Sequence, residues 1–309
     1  MNNQQIIEWL LEGDNSIQYQ VHRDLLGSDK KKLQVRIANE GWGEKILAKR
    51  KPDGQWGDRF YQPKWISTHY TLLDLRNLNL PPNNEMVQET IELVLRNNLA
   101  DDGGIQLGPS TSQQSDVCVN GMFLNYASYF KTPDKKLHSI IDCILNEIMP
   151  DGGFNCRIIR SGAKHSSLHS TISVLEGFVE FLKAGHSYRK EEILSAQKSS
   201  IEFILLHQLF LSDRTGQIIN KDFLKLTYPC RWKYDILRAM DFFQYAGIGW
   251  DDRMKAAIDV LKSKRNNEGF WNMQAAHPGQ VHVSMEKAGK PSRWITLRVL
   301  RVMKHFEIE

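Results

Sequence analysis

Apolar positions along this chain recur with helical rather than strand spacing, in segments broken by glycine turns. Residues 85–99, 135–148, 191–210 and 251–264 each carry one apolar stripe opposite a charged face, for example Ile140, Ile144, Leu145 and Ile148, the pattern of a helix with one buried side. Alternating with them, residues 67–78, 116–130, 167–182, 231–245 and 293–306 are apolar on more than one side. That is expected of helices held between a core and an outer layer. Ahead of these, residues 16–26 follow the cap candidates Asp14 and Asn15 and read as a further inner helix, with 30–49 as its outer partner. Residues 4–11 read as a helix lying outside 293–306.

The turns themselves repeat. Asp53-Gly54-Gln55, Asp102-Gly103-Gly104 and Asp151-Gly152-Gly153 are followed by Trp56, Ile105 and Phe154, with spacings 102 − 53 = 49 and 151 − 102 = 49. Degenerate copies continue at Thr215-Gly216-Gln217-Ile218 and Glu268-Gly269-Phe270-Trp271. A chain reversing at a helix end needs backbone angles that glycine adopts cheaply, and the large apolar residue that follows fastens the turn to its neighbour. Self-similarity of this kind marks a repeat architecture. The predicted fold is all-α, one domain over residues 1–309: a closed α/α toroid (α6-α6 barrel) whose inner helices point their first turns at a central cavity. An open solenoid is the competing arrangement, but it needs polar caps at its ends, and here an apolar helix closes the chain.

Composition narrows the function classes. Apolar residues make up 41% of 309 and the formal net charge is +4, enough for a large core and too mild for nucleic-acid binding. The short run Lys30, Lys31, Lys32 reads as a solvated helix start. No window has the roughly eighteen consecutive apolar residues of a transmembrane segment. The four cysteines, Cys118, Cys143, Cys156 and Cys230, form no C-x-x-C pair and follow no secretory signal, so free thiols in a reducing cytoplasm are expected.

Gly54-Gln55-Trp56, Gly153-Phe154 and Gly269-Phe270-Trp271, each ahead of an inner helix, resemble the repeat of the terpenoid cyclase and protein prenyltransferase toroid superfamily, squalene cyclase-like and prenyltransferase β-subunit-like. The protonating cyclases of that superfamily use a D-x-D-D acid motif, which this sequence lacks. Prenyltransferase β subunits bind zinc through an Asp and a Cys two apart at the start of one inner helix and a His from a later one. By that resemblance Asp116, Cys118 and His169 are the implied zinc ligands, in a prenyltransferase-like transferase. No counterpart of the α subunit that family requires is present.

Read as chemistry, Asp, Cys and His are ligands zinc accepts, and three protein ligands with an open position is the catalytic pattern. Against this, Asp116 suits a helix N-cap and Cys118 a small buried position. His69 and His169 are expected at equivalent repeat positions, with His165 one turn before His169, and imidazole moves protons or binds metal near neutral pH. His69 and Asp116 are the candidate catalytic groups. Arg231-Trp232 and Arg293-Trp294 each follow a proline and are expected to open inner helices, where a guanidinium takes a diphosphate or carboxylate in forked geometry. Alternatively each Arg stacks on a Trp or pairs with Asp235 or Glu286. Trp65, His165, Arg231, Trp232, Tyr234, Arg293 and Trp294 are the candidate substrate-binding set. Tyr70, Phe123, Tyr126 and Phe178 join Trp65, Trp232, Tyr234 and Trp294 as aromatic wall or interlayer packing. The expected partner is a small apolar or isoprenoid-like ligand with an anionic head. A non-catalytic binding or scaffold toroid is the first alternative. A carbohydrate-active α/α barrel is the second, and it would draw its two carboxylates from Asp116 and Asp235.

Overall fold

The computed structural model describes residues 3–108, 114–157 and 161–308. They divide into two compact units: Met1–Ala48, Asn77–Pro81 and Leu205–Glu309 in the first, Lys49–Arg76 and Pro82–Ile204 in the second. Among the described residues the regular structure is helical, with only isolated β-bridges, and no helix is long and apolar enough to cross a membrane.

The second unit holds three repeats. Its inner helices are α5 (Thr68–Asn77), α7 (Val117–Tyr129) and α9 (Leu168–Lys183); its outer helices are α6 (Glu85–Asn97), α8 (His138–Asn146) and α10 (Lys190–Leu206). Along α7 nearly every side chain from Val117 to Ser128 is buried, as an inner position requires. On α6 only the stripe Val87, Thr90, Ile91, Val94 and Leu95 is buried. On α8 the buried stripe is Ile140, Ile141, Cys143 and Ile144; the helix stops at Asn146, which leaves Ile148 exposed.

Each repeat begins with the same turn. Gly54, Gly103, Gly152 and Gly269 all have left-handed backbones, with φ of 82°, 83°, 92° and 96°. Each donates its N–H to the carbonyl three residues back, on Lys51, Ala100, Met149 and Asn266. The apolar residue two positions after each of these glycines is then fixed by a side chain at an inner-helix start. Trp56 N donates to Thr68 Oγ1 at 3.0 Å, Ile105 N to Asn120 Oδ1 at 2.7 Å, Phe154 N to Thr171 Oγ1 at 3.0 Å and, in the first unit, Trp271 N to Thr296 Oγ1 at 3.1 Å. The copy at Thr215–Ile218 keeps a left-handed glycine, φ 67° at Gly216, but its N–H bonds four residues back, to Ser212, and Ile218 is exposed.

Helices α7 and α9 approach closely because both carry glycine at the contact. A Cβ on Gly121 would lie 2.6 Å from the Ser173 carbonyl oxygen, and one on Gly177 would lie 2.4 Å from that of Gly121.

The first unit joins the two ends of the chain. It comprises α1 (Asn3–Leu11), α2 (Asn15–Gln20) running into a π-turn at Val21–Leu25, α3 (Lys31–Arg36), α4 (Gly41–Leu47), α11 (Ile236–Ala246), α12 (Lys255–Ser263) and α13 (Arg293–His305). On α13, Arg301 reaches Gln20 and Asp24, and Lys304 Nζ donates to the Asp24 and Leu25 carbonyls, both at 2.9 Å. Arg298 and Arg301 flank the buried Asp241 of α11. Burial works against the charge on Asp241, but Arg301 and Arg298 outweigh it and hold the carboxyl below the ordinary carboxylate value.

Several expected helices come out shorter. Residues 30–49 break into α3 and α4, because Gly41 takes φ 73° and Trp42 N donates to the Asp14 carboxylate at 2.8 Å. Residues 231–245 become helical only at Ile236, after the N-cap Asp235. The outer segment 251–264 opens as a 3₁₀ turn at Asp252–Met254.

The glycine contact between α7 and α9 leaves backbone nowhere to move. Gly121→Ala and Gly177→Ala should each cost about 1–3 kcal/mol by overpacking, read as a lower urea midpoint at unchanged slope. Wild-type stability in both variants would show that the helices can part freely.

Candidate functional site

The side-chain anchors define the repeat register: Thr68, Asn120, Thr171 and Thr296 are equivalent. His169 therefore stands level with Cys118, two residues ahead of the anchor, while His69 stands level with Gly121, one residue behind it. Counted from the helix start His69 and His169 are each the second residue, as expected, but counted from the anchor they stand three positions apart.

His69 is the centre of the second unit's aromatic cluster. Thr68 grips Trp56 through both backbone groups, and His69 N donates to the Phe60 carbonyl at 2.9 Å, so the loop from Trp56 folds back over the start of α5. That places the rings of Phe60, Tyr61, Tyr70 and Tyr126 around the imidazole, with centroids 5.3, 5.5, 4.9 and 5.7 Å away. Nδ1 of His69 bonds the Tyr126 hydroxyl at 3.2 Å. Its Nε2 is fully buried and, among the described residues, has no hydrogen-bond partner. Burial lowers the imidazole pKa to about 3, so the ring is neutral at physiological pH.

Around this centre, the Tyr61 and Tyr70 hydroxyls bond each other at 2.7 Å, and Trp65 packs edge-on against Tyr70 at 4.9 Å. Trp65 is buried and holds φ 73°, an unusual angle for a large side chain. Burial raises the Tyr61 phenol above its ordinary value, with Tyr70 opposing and Cys118, Asp116 and Cys156 adding to it. Exposed Lys64 lies over the Tyr61 and Trp65 rings, 5.6 and 5.9 Å from their centroids.

The remaining candidates in this unit vary. Asp116 sits at the N-cap of α7, but its side chain makes no cap hydrogen bond. Cys118 is half-buried in the first turn of α7 and His169 in that of α9. His165 lies in an exposed loop, 3.9 Å from the Asp151 carboxylate of its own glycine turn. Phe123 packs on Tyr126, whereas Phe178 packs on Phe154 as interlayer filling. Among the described residues no three His, Cys, Asp or Glu side chains are grouped to hold a metal ion.

In the first unit the two Arg-Trp pairs are not alike. Arg293 does open α13, and its guanidinium lies 4.5 Å from the Trp9 ring centroid, donates to the Trp9 carbonyl at 2.9 Å and pairs with Glu12. Arg231 precedes the N-cap of α11 by four residues, buried and with φ 55°. Trp294 is buried between Tyr228 and Trp42, with centroids at 4.4 and 6.0 Å, and its Nε1 has no hydrogen-bond partner among the described residues. Trp232 is half-buried, with Lys233 Nζ 5.9 Å from its ring centroid. Tyr234 is buried and donates its hydroxyl to the Leu209 carbonyl at 2.6 Å. Asp235 is engaged by Arg238 N, Thr227 and Cys230. Glu286 accepts from the Trp294 backbone N–H, and Arg293 acts on it through its own backbone N–H and its charge.

Phe60 and Tyr61 escaped sequence reasoning because they lie in the loop between turn and helix, outside any periodic segment. The signal was their place within a loop that opens on an anchored Trp56 and closes on Thr68.

No protein-family model and no curated protein matches this sequence. Solved structures do. A polysaccharide lyase is 14% identical over 98% of this chain and 96% of its own, with a TM-score of 0.53. A glycosyl hydrolase family 88 protein from Bacteroides vulgatus is 14% identical over 98% and 97%, with a TM-score of 0.51. A type II terpene cyclase from Scytonema is 14% identical over 88% and 96%, with a TM-score of only 0.34.

The neutral His69 ties stability to pH. The folded ring resists protonation down to about 3, whereas an ordinary imidazole takes a proton at 6.5. The unfolded chain therefore binds more protons between those values, and stability should fall with acidification by up to about 1.4 kcal/mol per pH unit. The double variant His69→Phe/Tyr126→Phe should lose that part of the dependence and be at least as stable as wild type at neutral pH. Identical pH profiles for variant and wild type would contradict a neutral, buried His69.

By fold, shared with the lyase and the hydrolase, the chain is an all-α protein of the α/α-toroid class.

Proposed function

We propose that this protein binds a small apolar ligand, isoprenoid-like in character, in the aromatic basket around His69, and that His69 Nε2 meets an uncharged polar atom of that ligand. The observation that carries this reading is the orphaned Nε2: a buried nitrogen without a partner costs about 1–3 kcal/mol and calls for an explanation. The neutral ring suits a hydroxyl or carbonyl oxygen, and the surrounding rings suit hydrocarbon. Lys64, over Tyr61 and Trp65, supplies positive charge for an anionic head at the exposed edge. Asp116, at the N-cap of α7 and within electrostatic reach of Tyr61, is the acidic group at this edge. The reading is one of binding. It runs no step through zinc and assigns no transfer.

A second reading has an observation of its own. The paired Tyr61 and Tyr70 hydroxyls beside flat rings also suit a sugar, with hydroxyls on its rim and C–H groups on its face. The neighbours of like fold are named for polysaccharide and glycoside chemistry.

Thermal unfolding of the full chain with farnesyl diphosphate, geranylgeraniol or an acidic oligosaccharide separates these. A ligand at one hundred times its Kd stabilises by about 2.7 kcal/mol. The proposal expects stabilisation by the two isoprenoids, lost in His69→Phe/Tyr126→Phe. Stabilisation by the oligosaccharide alone would establish the second reading, and no response to any of the three would remove the first.

A further inference from the structure

Two of the four cysteines lie beside the basket and two do not. Cys143 and Cys230 are buried and engaged, the first by Ser115 and Asn120, the second by Arg298, Asp235 and the Thr227 carbonyl. Burial pushes their thiols up to about 11 and about 12. Both are poor nucleophiles.

Cys118 and Cys156 are half-exposed and in no disulfide, and the packing brings them to one level. Gly121 of α7 rests directly on Ser173 of α9. One turn earlier on each helix stand Cys118 and Ser170, which share the side of their helix with Gly121 and Ser173. Ser170 Oγ accepts from the backbone N–H of Cys156 at 3.2 Å, which ties the loop ahead of α9 to that same level. Tyr61, a wall of the basket, is within electrostatic reach of both sulfurs.

We propose that Cys118 and Cys156 form a thiol pair that a low-molecular-weight disulfide oxidises to an intramolecular disulfide at the rim of the aromatic basket. The thiolate of one cysteine attacks the small disulfide, forming a mixed disulfide and releasing one small thiolate. The second cysteine's thiolate attacks the protein sulfur of that mixed disulfide, closing the Cys118–Cys156 bond and expelling the second small thiolate. The protein gives up two protons and two electrons, and the small disulfide takes both to become two thiols. The bond ties the start of α7 to the loop beside Tyr61, closing the rim on that side.

The test needs no ligand, so it stands or falls separately from the proposed function. The full chain is incubated with glutathione disulfide near pH 8, and its thiols are located by fragmentation mass spectrometry without reduction. A 118–156 cross-link is expected, formed at least about tenfold faster than any modification of Cys143 or Cys230. Cys156→Ser should stop at glutathione bound to Cys118, and Cys118→Ser at glutathione bound to Cys156. In wild type, glutathione retained on both cysteines without a cross-link, a bond to Cys143 or Cys230, or no reaction at either residue would overturn the proposal.

Discussion

The helical pairs are set by one hydrogen bond, made again in each well-formed repeat: a Thr or Asn at the start of an inner helix takes the backbone N–H of the residue after a glycine turn. At Thr68 and Thr171 the same hydroxyl also donates to that residue's carbonyl, at 3.0 and 3.4 Å. The atoms are buried, where an unmade bond is expensive and a made one is directional. The bond decides how far each turn advances before the next helix begins, and so which side chains of successive helices share a level. The equal offset of Cys118 and His169 from their anchors follows from it.

The same constraint explains what could be read from the chain alone. The glycine turns, the alternation of fully and partly apolar helices and the all-α toroid class were legible because each is a local pattern with a period. Helix starts were less legible. Residues 231–235 carry helical-looking apolar spacing, yet Asp235 caps the helix four residues after Arg231, and the intervening backbone takes a left-handed turn. Residues 30–49 likewise look continuous until a distant carboxylate, Asp14, captures the Trp42 N–H and opens the segment at Gly41. In the first case a local cap, and in the second a tertiary bond, outweighs a propensity of a few tenths of a kcal/mol per residue.

At the candidate site the helical members were visible and the loop members were not. His69, Tyr70 and Tyr126 lie on periodic segments, but Phe60 and Tyr61 meet the imidazole only because Thr68 and the His69 N–H fold their loop back. Arg293 looked like a ligand-binding cation because its local sequence matches that of Arg231. Its partners, Trp9 and Glu12, come from the opposite end of the sequence, beyond the reach of any local pattern.

A neutral imidazole with one nitrogen committed to Tyr126 and the other unmatched is the claim on which the functional reading rests. Nitrogen-15 spectra of the histidine side chains, assigned through a His69→Phe comparison, test it directly. The account predicts that the His69 nitrogens keep the shifts of a neutral ring from about pH 7.5 down to about pH 5. A ring that titrates with a midpoint near the ordinary imidazole value would show His69 open to water, and would contradict the account.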